Sequence, residues 1–206
     1  MARHTGPVCR LCRAEGTKLF LKGEKCNTGK CPIVKRGQRP GQHGAARHKT
    51  SEYGLRLREK QKARRFYGVG EKQFVIYYQL ATRKQGVTGE RLLQILETRL
   101  DNVIYRMGFA PSRPSARQMV GHGHIAVNGR RVDVPSFRVK VGDKVSVIDK
   151  SSEFVKASIS RTPVTKAPAW LEIEADKLTG SIIAMPVRED IDASIRENLI
   201  VEYYSR

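Results

Sequence analysis

The first 65 residues carry 18 Lys and Arg against 4 Asp and Glu, a net +14, and no other feature restricts this chain as much. So cationic a stretch repels itself, and it holds few apolar side chains whose burial could offset the repulsion. Its first 49 residues are expected to follow an external surface and to order fully on binding, unless a metal staples them. The other 141 residues set 21 cations against 16 anions, a net +5, and compose like a globular domain with basic patches. The whole chain of 206 residues is at +19, with 39% apolar residues, enough for a modest core. Its natural partners are polyanions, either nucleic acid or an anionic membrane. The membrane is disfavoured: no run approaches the ~18 apolar residues of a spanning helix. Nor does the N-terminus read as a signal peptide. A cytoplasmic protein touching RNA or DNA is the expectation, with its cysteines reduced and no small-molecule substrate.

All four cysteines fall in that cationic segment, as Cys9-x-x-Cys12 and, 13 residues later, Cys26-x-x-x-x-Cys31. Two close thiolate pairs can close a tetrahedron around Zn²⁺. Isolated buried thiols would not need this clustering, and no strand-helix context suggests a thioredoxin-like pair. Structural zinc is the default reading, while four thiolates also suit an iron–sulfur cluster. From Gly37 to Gly44 the Gly/Pro-rich chain excludes regular helix or strand, so residues 1–49 read as loop and metal knuckle.

Beyond Thr50 the pattern becomes helical. Ser51 is a suitable N-cap for a helix reaching Phe66, with Glu52 in its first turn. Arg56, Arg58, Lys60, Lys62, Arg64 and Arg65 crowd this helix and, with Arg47 and Lys49 before it, read as a phosphate-contacting surface. A second helix is expected over 71–84, burying Phe74, Tyr77, Tyr78 and Ala81 as core rather than as base-stacking rings. The clearest helical periodicity runs from Thr88 to Met107, where Leu92, Leu96, Leu100, Val103 and Met107 form one stripe widened by Leu93 and Ile104. Gly108 stops it. A short helix should begin at Ser112 with Pro114 in its first turn and end near Val120. Asn128-Gly129 between apolar positions marks a two-residue hairpin, and 140–148 supplies another strand. Short strands are expected at 171–173, 182–185 and 199–204.

Polar residues bunch in the helix–helix–hairpin unit between about Glu97 and Ile148: Arg99, Arg113, Arg117, Gln118, His122, His124, Asn128, Arg130 and Arg131. With the apolar stripes packed together, Arg113 and Arg117 are expected one turn apart on an exposed face. Arg130 and Arg131 are expected at the hairpin tip. Structured RNA is gripped through phosphates and 2′-hydroxyls, which a rigid ledge of arginines suits.

Arg99-Leu-Asp-Asn-Val-Ile-Tyr-Arg, Ser112-Arg-Pro-Ser-Ala-Arg-Gln and Gly123-His-Ile-Ala-Val-Asn-Gly-Arg-Arg-Val together resemble the RNA-binding module named after small-subunit ribosomal protein four. Pro40-Gly-Gln-His-Gly, Tyr53-Gly-Leu-Arg-Leu-Arg-Glu-Lys-Gln-Lys, Tyr67-Gly-Val, Glu71-Lys-Gln-Phe and Val201-Glu-Tyr-Tyr-Ser-Arg extend the likeness along nearly the whole chain to the bacterial ribosomal family itself. Its cysteine set is similar to that of the metal-binding branch.

The resemblance implies an α+β fold: a four-cysteine metal knuckle and basic arm over 1–49, a helical domain over 50–95 with 190–206 packed on it, and the RNA-binding module with a small β-sheet over 96–189. It further implies early binding to 16S ribosomal RNA at a multi-helix junction, nucleation of the subunit body, a share of the mRNA entry channel, and for some members repression of their own operon. It implies contacts with other small-subunit proteins, chiefly a contact with ribosomal protein five that bears on decoding accuracy. The acidic stretch with Glu189, Asp190, Asp192 and Glu197, unsuited to RNA, is the expected site of that contact. An RNA-modifying enzyme would need a catalytic domain for which too little chain remains, and Asp101 and Asp133 read more simply as partners for arginines. A DNA-binding finger would need a recognition helix inside the knuckle, and the pattern lacks it.

Overall fold

A computed structural model describes residues 4–46, 49–83, 85–160, 167–174, 176–191 and 194–205. It divides into two compact units, Met1–Leu92 with Asp192–Arg206, and Leu93–Ile191.

In the first unit the cysteine segment is not plain loop. It contains the short helices α1 (Cys9–Glu15), α2 (Glu24–Asn27) and α3 (Pro32–Lys35), and it buries Leu19 and Leu21. Its Gly/Pro-rich continuation is tied back by Arg13, whose guanidinium donates to the Gln38 and Arg39 carbonyls at 2.9 and 3.3 Å. Helix α4 (Glu52–Phe66) starts where Ser51 accepts a hydrogen bond from the Gly54 N–H at 3.1 Å, the expected cap. Helix α5 (Glu71–Thr82) buries Phe74, Tyr77 and Ala81, with Tyr78 half-buried.

The chain's last element departs from expectation. Residues 199–204, read as a strand, lie instead in helix α10 (Glu197–Tyr204), which packs against α4. An alternating run this short fits either structure, and tertiary contact decides. As a helix it buries Ile200 and sets Tyr204 4.6 Å from Tyr78 between ring centroids. It also brings Tyr203 and Tyr204 over the buried Lys60 ammonium, at 4.7 and 5.9 Å.

Lys60 is 3% exposed, so its charge requires the Glu71 carboxylate 2.7 Å away. Burial pushes the Glu71 carboxyl up, but the Lys60 ammonium, the Tyr204 hydroxyl and Arg64 outweigh it and leave Glu71 below the usual carboxylate range. A depressed carboxylate stabilises the fold above its unfolded pKa and loses that contribution as pH falls through its folded pKa. Glu71→Gln should therefore cost the first unit about 1–2 kcal/mol at neutral pH, a figure reduced from that of a fully buried pair because Glu71 itself is partly exposed. Denaturant unfolding of wild type and variant should converge on acidification. A pH-independent gap would show that the pair contributes through packing alone.

Helix α6 (Thr88–Glu97) begins in the first unit and ends in the second, where α7 (Leu100–Arg106) follows. The single helix expected over 88–107 is thus broken at Thr98 and Arg99, although its whole stripe is buried. Backbone partners from a distant loop compete for this turn. The Leu100 and Asp101 N–H groups donate to the Phe137 and Pro135 carbonyls, and the Thr98 carbonyl accepts from Val139 N–H. Arg99 is accordingly extended and forms a bridge with Arg138.

Helix α8 (Arg113–Gly121) is capped by Ser112 as expected. The strands β1 (Ile125–Val127), β2 (Arg130–Arg131), β3 (Lys144–Val147), β4 (Leu171–Glu174) and β5 (Thr179–Ile182) form one antiparallel sheet in the order β2-β1-β3-β5-β4. Asn128 and Gly129, both at positive φ, make the tight β1–β2 turn. The strand expected at 182–185 lies three residues earlier, because β5 takes its register from β3, pairing Gly180 with Val145. Helix α9 (Ser152–Ile159) follows β3, and no sequence-based expectation corresponds to it. The sheet packs with α7 and α8 on a core that includes Val103, Ile104, Phe109, Ile125, Trp170 and Ile182.

Candidate nucleic-acid interface and thiol cluster

The four thiols are free; Cys12, Cys26 and Cys31 are buried and Cys9 is half-buried. Contact of α1 with α3 brings the first pair toward Cys31 at the start of α3. The Lys22 N–H lies 3.4 Å from the Cys26 sulfur, and the Leu19 backbone hydrogen-bonds Cys12. Burial pushes the Cys12 and Cys26 thiols up, and the charge of the neighbouring cysteines adds to it. Sulfurs that sense one another in this way, with N–H donors around them, form a donor set that a soft or borderline cation would relieve. Among the described residues no group of three or more His, Cys, Asp or Glu side chains is arranged as it stands to hold a metal ion. The residues fit a metal in chemistry; the arrangement would have to tighten around it.

Most cations of α4 point into the protein's own charge network. Arg56 Nε donates to Glu202 at 2.7 Å, Lys62 pairs with Glu59 at 2.7 Å, and Arg64 donates to Gln61 at 2.9 Å. Arg58 and Arg65 both face Glu15 of α1, whose carboxylate is 2% exposed. The expected phosphate-contacting face of α4 is thus largely an internal hub that docks α1 and α10. Carboxylates far along the chain satisfy the local excess. The exposed cations of this unit are most numerous on the arm, with Lys22, Lys25, Lys30, Lys35, Arg36, Arg39 and Lys49; Lys72, Arg83 and Arg196 are exposed as well. Arg47 lies outside the described residues.

The second unit has a similar surprise. Arg113 and Arg117, expected on an exposed face, turn inward. Arg113 is 5% exposed, donates to the Asn102 side chain at 2.8 Å and stacks 4.4 Å from the Tyr105 ring centroid. Arg117 reaches Asp101 at 2.9 Å, and Arg99 meets the same carboxylate through two bonds of 3.0 and 2.6 Å. Arg106 forks onto Glu97 at 3.0 and 2.7 Å, while Asn102 donates to Glu97 at 2.6 Å. Two buried carboxylates would be prohibitive alone; Arg99 and Arg106 each match one bidentately, and Arg117 adds a further bond to Asp101. The motif arginines of α7 and α8 therefore hold the scaffold.

Exposed cations remain on the hairpin and on the segment that follows it. Arg130, Arg131, Arg138, Lys140 and Lys144 are exposed, and among the described residues no carboxylate lies within ion-pair distance of them. Arg138, Lys140 and Lys144 fall outside the set expected from sequence, although their clustering after an Asn-Gly turn is a usable signal. Asn128 is exposed, but both ends of its amide are engaged, donating to Asp143 at 2.8 Å and accepting from Lys144 N–H at 2.9 Å. It shapes the turn. Gln118 and His122 are exposed, and His124 Nδ1 lies 2.8 Å from the Ser151 hydroxyl.

The acidic residues do not form one element. Glu189 and Asp190 share a short 3₁₀ turn of the second unit, where Asp190 accepts from Val187 N–H. Glu197 opens α10 in the first unit, and its side chain closely approaches Gly89. Asp192 lies outside the described residues.

Known proteins share much of this sequence. A family model described as the ribosomal protein S4/S9 N-terminal domain matches residues 3–97, and one described as the S4 domain matches residues 98–145. The chain is 59% identical over 208 residues to small ribosomal subunit protein uS4 of Acetivibrio thermocellus, with 100% of both chains covered. It is 58% identical over 207 residues to protein uS4A of Symbiobacterium thermophilum and 58% identical over 206 residues to uS4 of Dictyoglomus turgidum, again with 100% of both chains covered. A cationic hairpin on an arginine-braced scaffold, a cysteine-bearing arm and full-length identity at this level place the chain in the bacterial uS4 family of small-subunit ribosomal proteins.

Proposed function

We propose that this chain is a structural constituent of the small ribosomal subunit that binds 16S ribosomal RNA early and nucleates assembly of the subunit body. The family comprises ribosomal structural proteins, not enzymes. The observation that carries the reading is the exposed set Arg130, Arg131, Arg138, Lys140 and Lys144 beside a rigid two-residue turn. Fixed cations meet the phosphates of a folded RNA with little ordering entropy left to lose. The exposed lysines and arginines of the arm add a second basic surface.

Within the subunit, contacts with ribosomal protein five and other small-subunit proteins, a share of the mRNA entry channel and repression of its own message are extensions of this reading. Glu189 and Asp190 are the acidic pair we assign to the protein contact. Cys9, Cys12, Cys26 and Cys31 would hold a structural zinc ion, or an iron–sulfur cluster, when bound. Such a group would pull the three short helices of the arm onto one centre. Residues 22–39, with their exposed cations, would then be presented as a fixed surface.

Binding of purified protein to 16S rRNA and to duplex DNA, measured over a range of salt, tests the reading. Arg130→Ala, Arg131→Ala and Lys144→Ala combined should lower rRNA affinity and reduce the magnitude of the salt slope by about two to three, one unit for each phosphate no longer neutralised. Wild-type affinity and slope in the triple variant, or equal preference for duplex DNA, would count against it.

A further inference from the structure

We propose that His122, His124, Phe154 and Arg131 form a stacking platform for an unpaired base of the bound RNA, a reading that rests on RNA being the partner. Phe154 is 59% exposed on α9, whose buried side chain is Val155, so the ring is not needed for the core. A lone exposed phenylalanine would say little. This one is the end of a tier of rings, 5.3 Å from the His124 ring, which is itself 5.9 Å from that of His122. Its middle ring is held in place. His124 is fixed through Nδ1 by Ser151 at 2.8 Å, and its carbonyl accepts from Ile148 N–H at 3.0 Å.

A cation completes the platform. The Arg131 guanidinium lies across Gly123 and donates to the His122 carbonyl at 3.3 Å. A Cβ at Gly123, whose φ is +72°, would sit 2.2 Å from that guanidinium, so a larger residue there would displace the arginine. Flat rings beside an exposed guanidinium match the two things an unpaired nucleotide presents, a π face and a phosphate. An A-form helix does not need the rings, because its bases already stack on one another. The platform therefore selects a bulged or looped nucleotide next to the helical RNA that the hairpin cations contact. It adds a specific element to an interface that is otherwise electrostatic.

The test compares wild type with Phe154→Ala, Phe154→Leu and Phe154→Trp, all at an exposed position, for binding to a 16S rRNA transcript over a range of salt. Phe154→Ala and Phe154→Leu should each weaken binding on the order of tenfold with an unchanged salt slope, since they remove a stacking surface and leave every phosphate neutralised. Phe154→Trp should bind at least as well as wild type. Base-specific chemical probing should show one unpaired base protected by wild type and reactive again with Phe154→Ala, while backbone protections persist. Wild-type affinity in Phe154→Ala or in Phe154→Leu would overturn the proposal, because the ring face would then be irrelevant. Protections confined to paired helices would overturn it too. Failure of wild type itself to bind 16S rRNA is a separate result, which would remove the RNA reading and this one with it.

Discussion

Asp101→Ala should destabilise the second unit by about 3–5 kcal/mol, a larger loss than any single substitution on the hairpin surface. Asp101 is 3% exposed and its carboxylate accepts from both Arg99 and Arg117, and Arg99 is 1% exposed. Removing it takes from the buried Arg99 guanidinium the carboxylate it forks onto, and arginine cannot relieve that by losing its proton. For a unit of this size the melting temperature should fall by more than about 10 °C. Asp101→Leu combined with Arg99→Met should cost less than Asp101→Ala alone, because an apolar pair of similar volume removes the most deeply buried charge, and only the more accessible Arg117 loses its carboxylate. Urea and thermal unfolding of these variants would decide. A loss below about 1 kcal/mol for Asp101→Ala would mean that water reaches Arg99. The result bears on function because this network braces the two helices and the loop against which the hairpin proposed to contact RNA is built.

Chelation of the metal proposed for the four thiolates should make residues 4–46 protease-sensitive while the second unit keeps its unfolding midpoint. Structural zinc contributes roughly 10–16 kcal/mol in small finger peptides, and this arm has few apolar side chains to substitute for that. Cleavage should begin among residues 22–39, where exposed lysines and arginines surround the thiols, and reach α1 last. The buried Glu15 carboxylate between Arg58 and Arg65 ties α1 to α4 independently of any metal. Metal released in stoichiometric amount, with the arm loosened, is the expected pair of readings. Unchanged protease resistance with no metal released would mean that the thiols act as small buried apolar groups and that the charge network alone holds the arm.

Features decided within a few residues are legible in the sequence. Ser51 and Ser112 cap helices because their hydroxyls reach an N–H three positions on. Asn128-Gly129 turns because those residues accept positive φ. The apolar stripe from Leu92 to Met107 is buried because its period matches a helix face, even though the helix breaks within it. That break is not legible. It depends on the Phe137, Pro135 and Val139 backbone arriving at Thr98–Asp101 from more than 30 positions away. Nor is α10, where packing on α4 overrides a pattern that reads as strand.

The same division separates charge from its use. From the amino-acid order alone come the net cationic balance, the paired cysteines, the family likeness and the local caps and turns, each a property of composition or of near neighbours. Only the folded chain decides which cations face outward. Glu202 is 146 positions from Arg56, Glu15 is 50 from Arg65, and Asp101 is 16 from Arg117, and no local pattern announces such meetings. Coulomb attraction strengthens as charges leave water, so burial converts those arginines into scaffold and leaves the hairpin cations exposed.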